Sequence, residues 1–199
     1  MITIIDYGVG NLSSVENACA FLGVETETTS NLLVIQNAHK IILPGVGSCL
    51  DAMNHLNKFN LVDVIKDKIA QGTPFLGICL GMQMLFEHSE EGDVDCFGII
   101  KGLIKKIPSD HLKVPQIGWN NITFSENTRL FQGIQQGSYF YFVHSYYAHG
   151  ENRSQIAATT EYGVTIDAAV EYNNLFATQF HPEKSGDMGL KLLKNFSEV

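Results

Sequence analysis

Short apolar segments alternate with helical patterns through the first half of the chain, and this alternation constrains the fold more than any other feature. Strands are predicted at residues 2–5, 24–28, 40–43 and 73–78, and helices are predicted after residue 11 and at residues 49–57 and 61–71. In the first helix, apolar residues recur at helical spacing: Leu12, Val15, Ala18, Cys19 and Leu22. Strands that alternate with helices predict a parallel sheet covered by helices on both faces, with ligands bound beyond the carboxyl ends of the strands.

The second half of the sequence is richer in strands. Strands are predicted at residues 99–107, 121–124, 139–143, 156–160, 167–172 and 176–180, and a helix at residues 189–196. Glycine and asparagine turns separate these segments, which is typical of antiparallel pairing. The predicted fold class is therefore α/β, with a mostly parallel open sheet flanked by helices and antiparallel strands added to it.

Composition limits the class of protein. The 199 residues are 45% hydrophobic and 17% charged, which suits one sizeable domain, and no repeat or linker divides residues 1–199. The net charge of −8 disfavours nucleic acid and anionic membranes as partners, because both repel acidic proteins. No segment reaches the roughly 20 apolar residues of a membrane span. The amino terminus lacks the basic region of a signal peptide.

The cysteines give a further indication of location. Cys19, Cys49, Cys79 and Cys96 contain no C-x-x-C pair and no metal-ligand spacing, which suits a reducing cytoplasm and predicts no metal site. We expect Cys19, Cys49 and Cys96 to be small buried hydrophobic residues.

Cys79 lies in the strongest local motif. It is flanked by Gly77 and Gly81, follows an apolar strand and precedes a predicted helical stretch at residues 82–86. This is the G-x-S-x-G nucleophile elbow with cysteine in the serine position. The start of a helix favours a thiolate, and the N–H of Leu80 is suited to binding an oxyanion. A buried cysteine between two packing glycines is the alternative.

The sequence supplies a base for that nucleophile. His181 and Glu183 directly follow another apolar strand, and Pro182 stiffens the backbone between them. A cysteine nucleophile needs a base, and the base needs an acceptor that orients it. Both motifs stand at the carboxyl ends of predicted core strands, so we expect Cys79, His181 and Glu183 to form a catalytic triad.

A glycine-rich loop and the histidines are less specific. The amides of Gly45, Val46 and Gly47 could complete an oxyanion hole, although an ordinary turn after a strand would have the same sequence pattern. His144, in an aromatic strand, is expected to be structural. No role is predicted for the remaining histidines: His39, His55, His88, His111 and His149.

Together these residues resemble the class I glutamine amidotransferases. The family resemblance rests on residues 77–83 and 181–183. Residues 6–12, 43–48, 117–120, 141–146 and 183–185 are similar to those of members that supply ammonia for histidine biosynthesis. These segments stand in family order and cover the chain nearly end to end. The resemblance implies a flavodoxin-like fold and the hydrolysis of glutamine without a cofactor.

The resemblance also implies roles for further residues. Glutamine would be bound by Gly45, Val46, Gly47, Leu80, Gln83, Glu91, Ser145 and Tyr146. The ammonia would pass to a (βα)8-barrel cyclase subunit in a heterodimer, which would be contacted by Asn11, Gln116, Trp119, Tyr141 and Lys184. Gln116 departs from the family pattern, which has histidine after the proline.

Other functions remain open at this point. A related amidotransferase subunit that aminates a nucleotide sugar for surface polysaccharide would carry the same catalytic motifs. A cysteine peptidase of similar fold and an inactive binding module are more distant alternatives. The intact triad argues against the inactive module.

Overall fold

The computed structural model describes residues 1–109 and 112–199, so His111, for which no role is predicted, lies outside the described residues. The strands are β1 Ile2–Ile5, β2 Thr26–Thr29, β3 Ile41–Gly45, β4 Phe75–Cys79, β5 His88–Ser89, β6 Val94–Asp95, β7 Gly102–Lys106, β8 Gln116–Asn121, β9 Thr123–Phe124, β10 Tyr139–His144, β11 Tyr146–Gly150, β12 Ile156–Glu161, β13 Thr165–Tyr172 and β14 Leu175–Thr178. The helices are α1 Leu12–Phe21, α2 Leu32–Gln36, α3 Cys49–Lys58, α4 Leu61–Ala70, α5 Leu80–Gln83 and α6 Gly186–Glu198.

The main sheet combines a parallel part and an antiparallel part. Within the described residues, its eight strands lie in the order β2-β1-β3-β4-β14-β13-β12-β9. The neighbours from β2 to β14 pair in parallel, and those from β14 to β9 pair antiparallel. This arrangement confirms the predicted fold class of a mostly parallel sheet with added antiparallel strands.

The inner parallel strands are buried because helices cover both of their faces, whereas the edge strand β2 is polar and half-buried. Every residue of β1, β3 and β4 is buried. Leu43 packs in a cluster with apolar side chains of α3 and α4, whereas neighbouring Ile42 packs with those of α1 and α6. Consecutive residues of one strand therefore pack into the hydrophobic clusters on opposite faces of the sheet. Among the helices that the structure describes, none is both long and apolar enough to cross a bilayer.

In the part of the chain that the structure describes, two smaller sheets lie outside the main one. β8 pairs antiparallel with β10, and β11, β7, β5 and β6 form the other sheet in that order. Ser145 separates β10 from β11, so the chain passes from one small sheet to the other at this residue. The carbonyl of Ser145 accepts the N–H of Ile107 at 2.9 Å, which fixes the crossing point.

Several short elements were not predicted. These are α2, β5, β6 and β11, and β8 begins five residues before the strand predicted at residues 121–124. The two-residue strands are too short to show a periodic pattern. Helix α2 has only five residues and begins at a polar cap, where the side chain of Asn31 accepts the N–H of Leu33 at 2.9 Å.

Candidate active site

Cys79 occupies a strained turn between β4 and α5. Its backbone has φ 55° and ψ −107°, and the other non-glycine residues with positive φ in the described chain are all asparagine or aspartate. A Cβ at Gly77 would lie 2.6 Å from the carbonyl oxygen of Gly81, and a Cβ at Gly81 would overlap the carbonyl oxygen of Leu43. Only glycine therefore fits on either side of the cysteine. These are the features of a nucleophile elbow.

The helix after the elbow is shorter than the sequence predicts. It ends at Gln83, so the prediction of helix through residues 84–86 is wrong. The carbonyl of Met84 accepts the N–H of Phe97, and that of Leu85 accepts the N–H groups of Ile99 and Ile100. Because these carbonyls bind the later segment, they are not available to continue the helix.

His181 and Glu183 form a buried pair beside the elbow. His181 Nδ1 lies 2.8 Å from Glu183 Oε1, and their side chains are 3% and 2% exposed. His181 Nε2 makes no hydrogen bond to any residue that the structure describes. Burial by itself lowers the pKa of His181. The Cys79 sulfur and the Glu183 carboxylate beside it raise the pKa by a larger amount, so the net pKa is about 10. These two groups therefore stabilise the imidazolium that forms when His181 takes up a proton.

The loop that carries this pair is anchored by Ser185. Its Oγ donates to the carbonyl of His181 at 2.6 Å and accepts the N–H of Tyr141 at 3.0 Å. The N–H of His181 also donates to the carbonyl of Tyr141 at 3.0 Å. These bonds fix the backbone of His181 against β10, and Glu183 fixes its imidazole ring.

Gln179 is a site residue that the sequence analysis did not identify. It is fully buried, and its Nε2 lies 3.7 Å from the Cys79 sulfur, to which it donates. Its Oε1 accepts from Gln83 Nε2 at 2.9 Å, and Gln83 Nε2 also donates to the carbonyl of Tyr146 at 2.8 Å. The sequence does contain a signal for it, since Gln179 is an uncharged polar residue inside the apolar strand predicted at residues 176–180. A buried amide requires hydrogen-bond partners, which indicates a specific contact.

A cavity of about 420 Å³ opens over Cys79. Cys79 and His181 line it together with seven of the residues that were expected to bind glutamine: Val46, Gly47, Leu80, Gln83, Glu91, Ser145 and Tyr146. Gly45 does not line the cavity. It is the last residue of β3 and pairs with Cys79, and a Cβ there would meet Tyr7 and Leu80. Its contact with glutamine stays a prediction.

Glu91 supplies a carboxylate at the edge of the cavity. Its Oε2 accepts the N–H of Cys49 at 2.9 Å, and its own N–H donates to Ser89 Oγ at 3.1 Å. Burial raises the pKa of Glu91, the Cys49 N–H opposes this, and nearby Asp51 adds to it. A bound cation would therefore stabilise the ionised form of Glu91. The segment is a structured turn rather than a freely solvated acidic loop.

His144 is a buried structural histidine beside the cavity. Its Nδ1 lies 2.8 Å from the carbonyl oxygen of Tyr146, and its Nε2 lies 3.0 Å from the side chain of Gln116. Burial lowers the pKa of His144 to about 4, so the imidazole is neutral. Gln116 is only 3% exposed. Its side chain contacts His144 rather than solvent, and its contact with a partner subunit stays a prediction.

Two other predicted partner residues, Trp119 and Tyr141, belong to an exposed apolar surface. Trp119 is 55% exposed, and its ring contacts that of Tyr141 edge to face, with centroids 6.2 Å apart. In the antiparallel register, Trp119 opposes Tyr141 and Ile117 opposes Val143, which lines the cavity. Asn11 is half-buried. Lys184 is exposed, and it lines the cavity. The apolar face of β8 and β10 therefore leads to the cavity.

The described residues contain no group of three or more His, Cys, Asp or Glu side chains that could hold a metal ion. The polar side chains that line the cavity instead carry a thiol, two imidazoles, a carboxylate, an amide, an ammonium group and hydroxyls. They are suited to nucleophilic attack on a small polar molecule.

Comparisons with known proteins all indicate the same family. A profile of the class I glutamine amidotransferases matches residues 3–199. The chain is 48% identical over 200 residues to imidazole glycerol phosphate synthase subunit HisH of Caldanaerobacter subterraneus subsp. tengcongensis, covering 100% of this chain and 98% of that protein. It is also 48% identical over 197 residues to the same subunit of Haemophilus influenzae, covering 99% and 96%.

Solved structures match in fold. A structure described as a glutamine amidotransferase has a TM-score of 0.77 at 15% identity and covers all of both chains. The structure of PurLQS from Thermotoga maritima has a TM-score of 0.74 at 19% identity, and the match covers 98% of this chain and 96% of that one. At these identities the likeness concerns the fold alone.

Proposed function

Because this chain belongs to the class I glutamine amidotransferase family, we propose that it is the glutaminase subunit of an imidazole glycerol phosphate synthase. It hydrolyses glutamine and passes the ammonia to a cyclase subunit for histidine biosynthesis. The observation that carries the proposal is that the elbow cysteine, Cys79, lines the same cavity as His181, which is paired with the buried Glu183. The full-length identity to the HisH subunits supports the pathway over surface-sugar amination.

The first chemical step is formation of a thioester. The thiol proton of Cys79 moves to His181 Nε2, and the thiolate sulfur attacks the side-chain amide carbon of glutamine. Glu183 accepts a hydrogen bond from His181 Nδ1 and stabilises the imidazolium. The N–H of Leu80 and the amides of Val46 and Gly47 stabilise the oxyanion. His181 then protonates the departing nitrogen, and ammonia leaves.

The second step is hydrolysis. His181 takes a proton from water as the water attacks the thioester carbonyl, and collapse of the intermediate releases glutamate and returns Cys79. Gln179 donates to the sulfur at 3.7 Å and thereby stabilises the thiolate and positions it. This role for Gln179 extends the triad that the sequence predicts.

Recognition of glutamine uses the opposite end of the cavity. The half-buried Glu91 carboxylate binds the α-ammonium group, because burial leaves it in need of a positive partner. The amides and hydroxyls of Ser145, Tyr146 and Gln83 bind the remaining polar groups. Gln83 also supports the wall through the carbonyl of Tyr146.

A partner subunit is proposed to cover the cavity. Free ammonia would be protonated and lost in water, so its transfer requires a closed path. The exposed residues Ile117, Trp119 and Tyr139 form an apolar face that continues to the cavity, and a lone exposed tryptophan suits an interface anchor. The proposed partner is a (βα)8-barrel cyclase in a cytoplasmic heterodimer, contacted also by Asn11, Tyr141 and Lys184.

Activation is proposed to depend on the loop after β3. When the cyclase binds its ribonucleotide, the peptides of Gly45, Val46 and Gly47 reorient and complete the oxyanion hole. Val46→Pro removes one N–H from this loop. Stimulation by the ribonucleotide should be lost in this variant, measured as glutamate release, and undiminished stimulation would refute the mechanism.

The function is tested by measuring glutamate release from glutamine. The purified chain is assayed alone and with the histidine-pathway cyclase subunit of the same organism plus its ribonucleotide. We expect strong stimulation that disappears in Cys79→Ala. Cys19→Ala, a cysteine change on α1, is the matched control and should retain activity.

The contrary outcomes discriminate between functions. A lack of stimulation, with the cyclase active on ammonium salts, would reject the histidine-pathway partner. Faster turnover of a peptide than of glutamine would favour a cysteine peptidase instead.

A further inference from the structure

Two cysteines that the proposed mechanism does not use lie in contact beside Glu91. The sulfurs of Cys49 and Cys96 are 3.3 Å apart, although the residues are 47 positions apart in the sequence. Cys49 is buried, whereas Cys96 is half-buried, which corrects the expectation that both are enclosed hydrophobic residues. The separation is about 1.2 Å longer than a disulfide bond. Little motion would therefore join the two sulfurs.

The pair connects the two segments that form one end of the cavity. Cys49 begins α3, directly after the loop of Val46 and Gly47 and the capping residue Ser48. Cys96 follows β6, and its N–H donates to the carbonyl of Glu87 at 2.9 Å. The turn that carries Glu91 lies between β5 and β6. The two thiols thus link α3 to the hairpin that holds the expected ammonium ligand.

The contact between these segments is close and specific. The N–H of Cys49 donates to Glu91 Oε2 at 2.9 Å. A Cβ at Gly92 would lie 2.6 Å from Leu50 Cβ, so the turn packs tightly on the start of α3. Movement of the Cys49 backbone would therefore be transmitted directly to the Glu91 carboxylate.

We propose that Cys49 and Cys96 form a reversible disulfide that displaces Glu91 and weakens glutamine binding. This inference rests on the proposed function, because Glu91 is assigned there as the ligand of the α-ammonium group. Oxidation of the pair would lower glutaminase activity, and reduction would restore it. The site makes ammonia production sensitive to the thiol–disulfide balance of the cell.

The chemistry requires a small exchangeable disulfide such as oxidised glutathione. Cys96, the more accessible thiol, attacks one sulfur as its thiolate, forms a mixed disulfide and releases one glutathione thiolate. The Cys49 thiolate then attacks the Cys96 sulfur and releases the second. The protein loses two thiol protons and two electrons, and oxidised glutathione becomes two glutathione thiols.

The thiol environments determine the relative rates of these two steps. The hydrogen bond between the two thiols lowers the pKa of Cys49 more than burial raises it. The same contact raises the pKa of Cys96, followed by the effect of burial. We therefore expect a slow first exchange and a fast closure by Cys49. Cys19 has no such neighbour, and burial raises its pKa to about 11.

The test uses the full chain carrying Cys79→Ser, which removes the catalytic thiol and prevents turnover. The protein is equilibrated with reduced or oxidised glutathione, and disulfides are mapped by mass spectrometry of unreduced peptides. Glutamine affinity is then measured by calorimetry in both states. We expect a Cys49–Cys96 disulfide and an affinity about 10- to 100-fold weaker after oxidation, reversed by dithiothreitol.

Cys96→Ser in the same background is the matched control, and its affinity should be the same in both states. Absence of a Cys49–Cys96 disulfide would overturn the proposal, as would a disulfide that leaves glutamine affinity unchanged. If the reduced protein binds no glutamine, the proposed function fails, and the mapped disulfide alone then reports on the cysteine pair.

Discussion

Replacement of Glu183 by glutamine separates orientation from charge in the proposed triad. The amide oxygen of glutamine can still accept the hydrogen bond that His181 Nδ1 makes at 2.8 Å, but it carries no negative charge. Both side chains are almost completely buried, at 3% and 2% exposure, so solvent screens their interaction little. The variant therefore reports the effect of the charge on the imidazolium.

The magnitude follows from this geometry. A hydrogen bond to a charged group contributes about 1.5–3 kcal/mol, against about 0.5–1.5 kcal/mol for a neutral one. Loss of the charge at a buried site therefore removes about 1–1.5 kcal/mol and should lower kcat/KM by about 5- to 15-fold. Because Glu183 raises the pKa of His181, the variant should also lose activity at a lower pH on the alkaline side than the native chain.

The assay is glutamate release with the cyclase and its ribonucleotide for the native chain, Glu183→Gln and Glu183→Ala. It is run from about pH 6, near the ordinary pKa of histidine, to about pH 10, near the raised pKa of His181. Glu183→Ala should be slower still, because it leaves the buried Nδ1–H of His181 without an acceptor. Glu171→Gln is the matched control. It weakens the ion pair with Arg129, at 2.9 Å, and should reduce stability without changing kcat/KM. Full activity in Glu183→Gln, with an unshifted alkaline limb, would refute the assignment.

Further predictions concern stability and the elbow. The pKa of His144 is lowered to about 4 from 6.5, so the unfolded chain binds more protons between these values, and about 3 kcal/mol of stability should be lost as the pH falls from 6.5 to 4. Urea unfolding should show a smaller loss in His144→Gln. Gly81→Ala, whose Cβ overlaps Leu43, should lose more than about 1–3 kcal/mol and most glutaminase activity, whereas Gly72→Ala should lose stability alone. The buried hydroxyl of Tyr7 has no hydrogen-bond partner among the described residues, so Tyr7→Phe should raise the free energy of unfolding by about 1 kcal/mol, and a lower value would contradict this.

The sequence predicted the architecture well where periodicity was strong. The buried strands β1, β3 and β4 and the amphipathic helices α3 and α4 have long apolar patterns, and their order defines the parallel sheet. The two-residue strands β5 and β6 and the short helix α2 carry too few residues for such a pattern. The stop of α5 at Gln83 was also hidden, because it depends on hydrogen bonds from residues 97–100.

The candidate site shows a similar division. The elbow glycines were identifiable because tight backbone approaches exclude every other residue, and Cys79, His181 and Glu183 follow from that motif and a nearby base. Gln179 was missed because its importance depends on a buried contact between distant segments. The contact of Gln116 with His144 depends on strand pairing in the same way, since the two residues oppose each other in β8 and β10.

The most direct test of the account is to trap the covalent intermediate on Cys79. The chain, with the cyclase and its ribonucleotide, is mixed with isotope-labelled glutamine, quenched in acid within milliseconds to seconds and analysed as peptides by mass spectrometry. We predict one γ-glutamyl thioester on the peptide that contains Cys79, absent in Cys79→Ala. A glutamyl group on another residue, or glutamate release without any covalent species, would contradict the central claim.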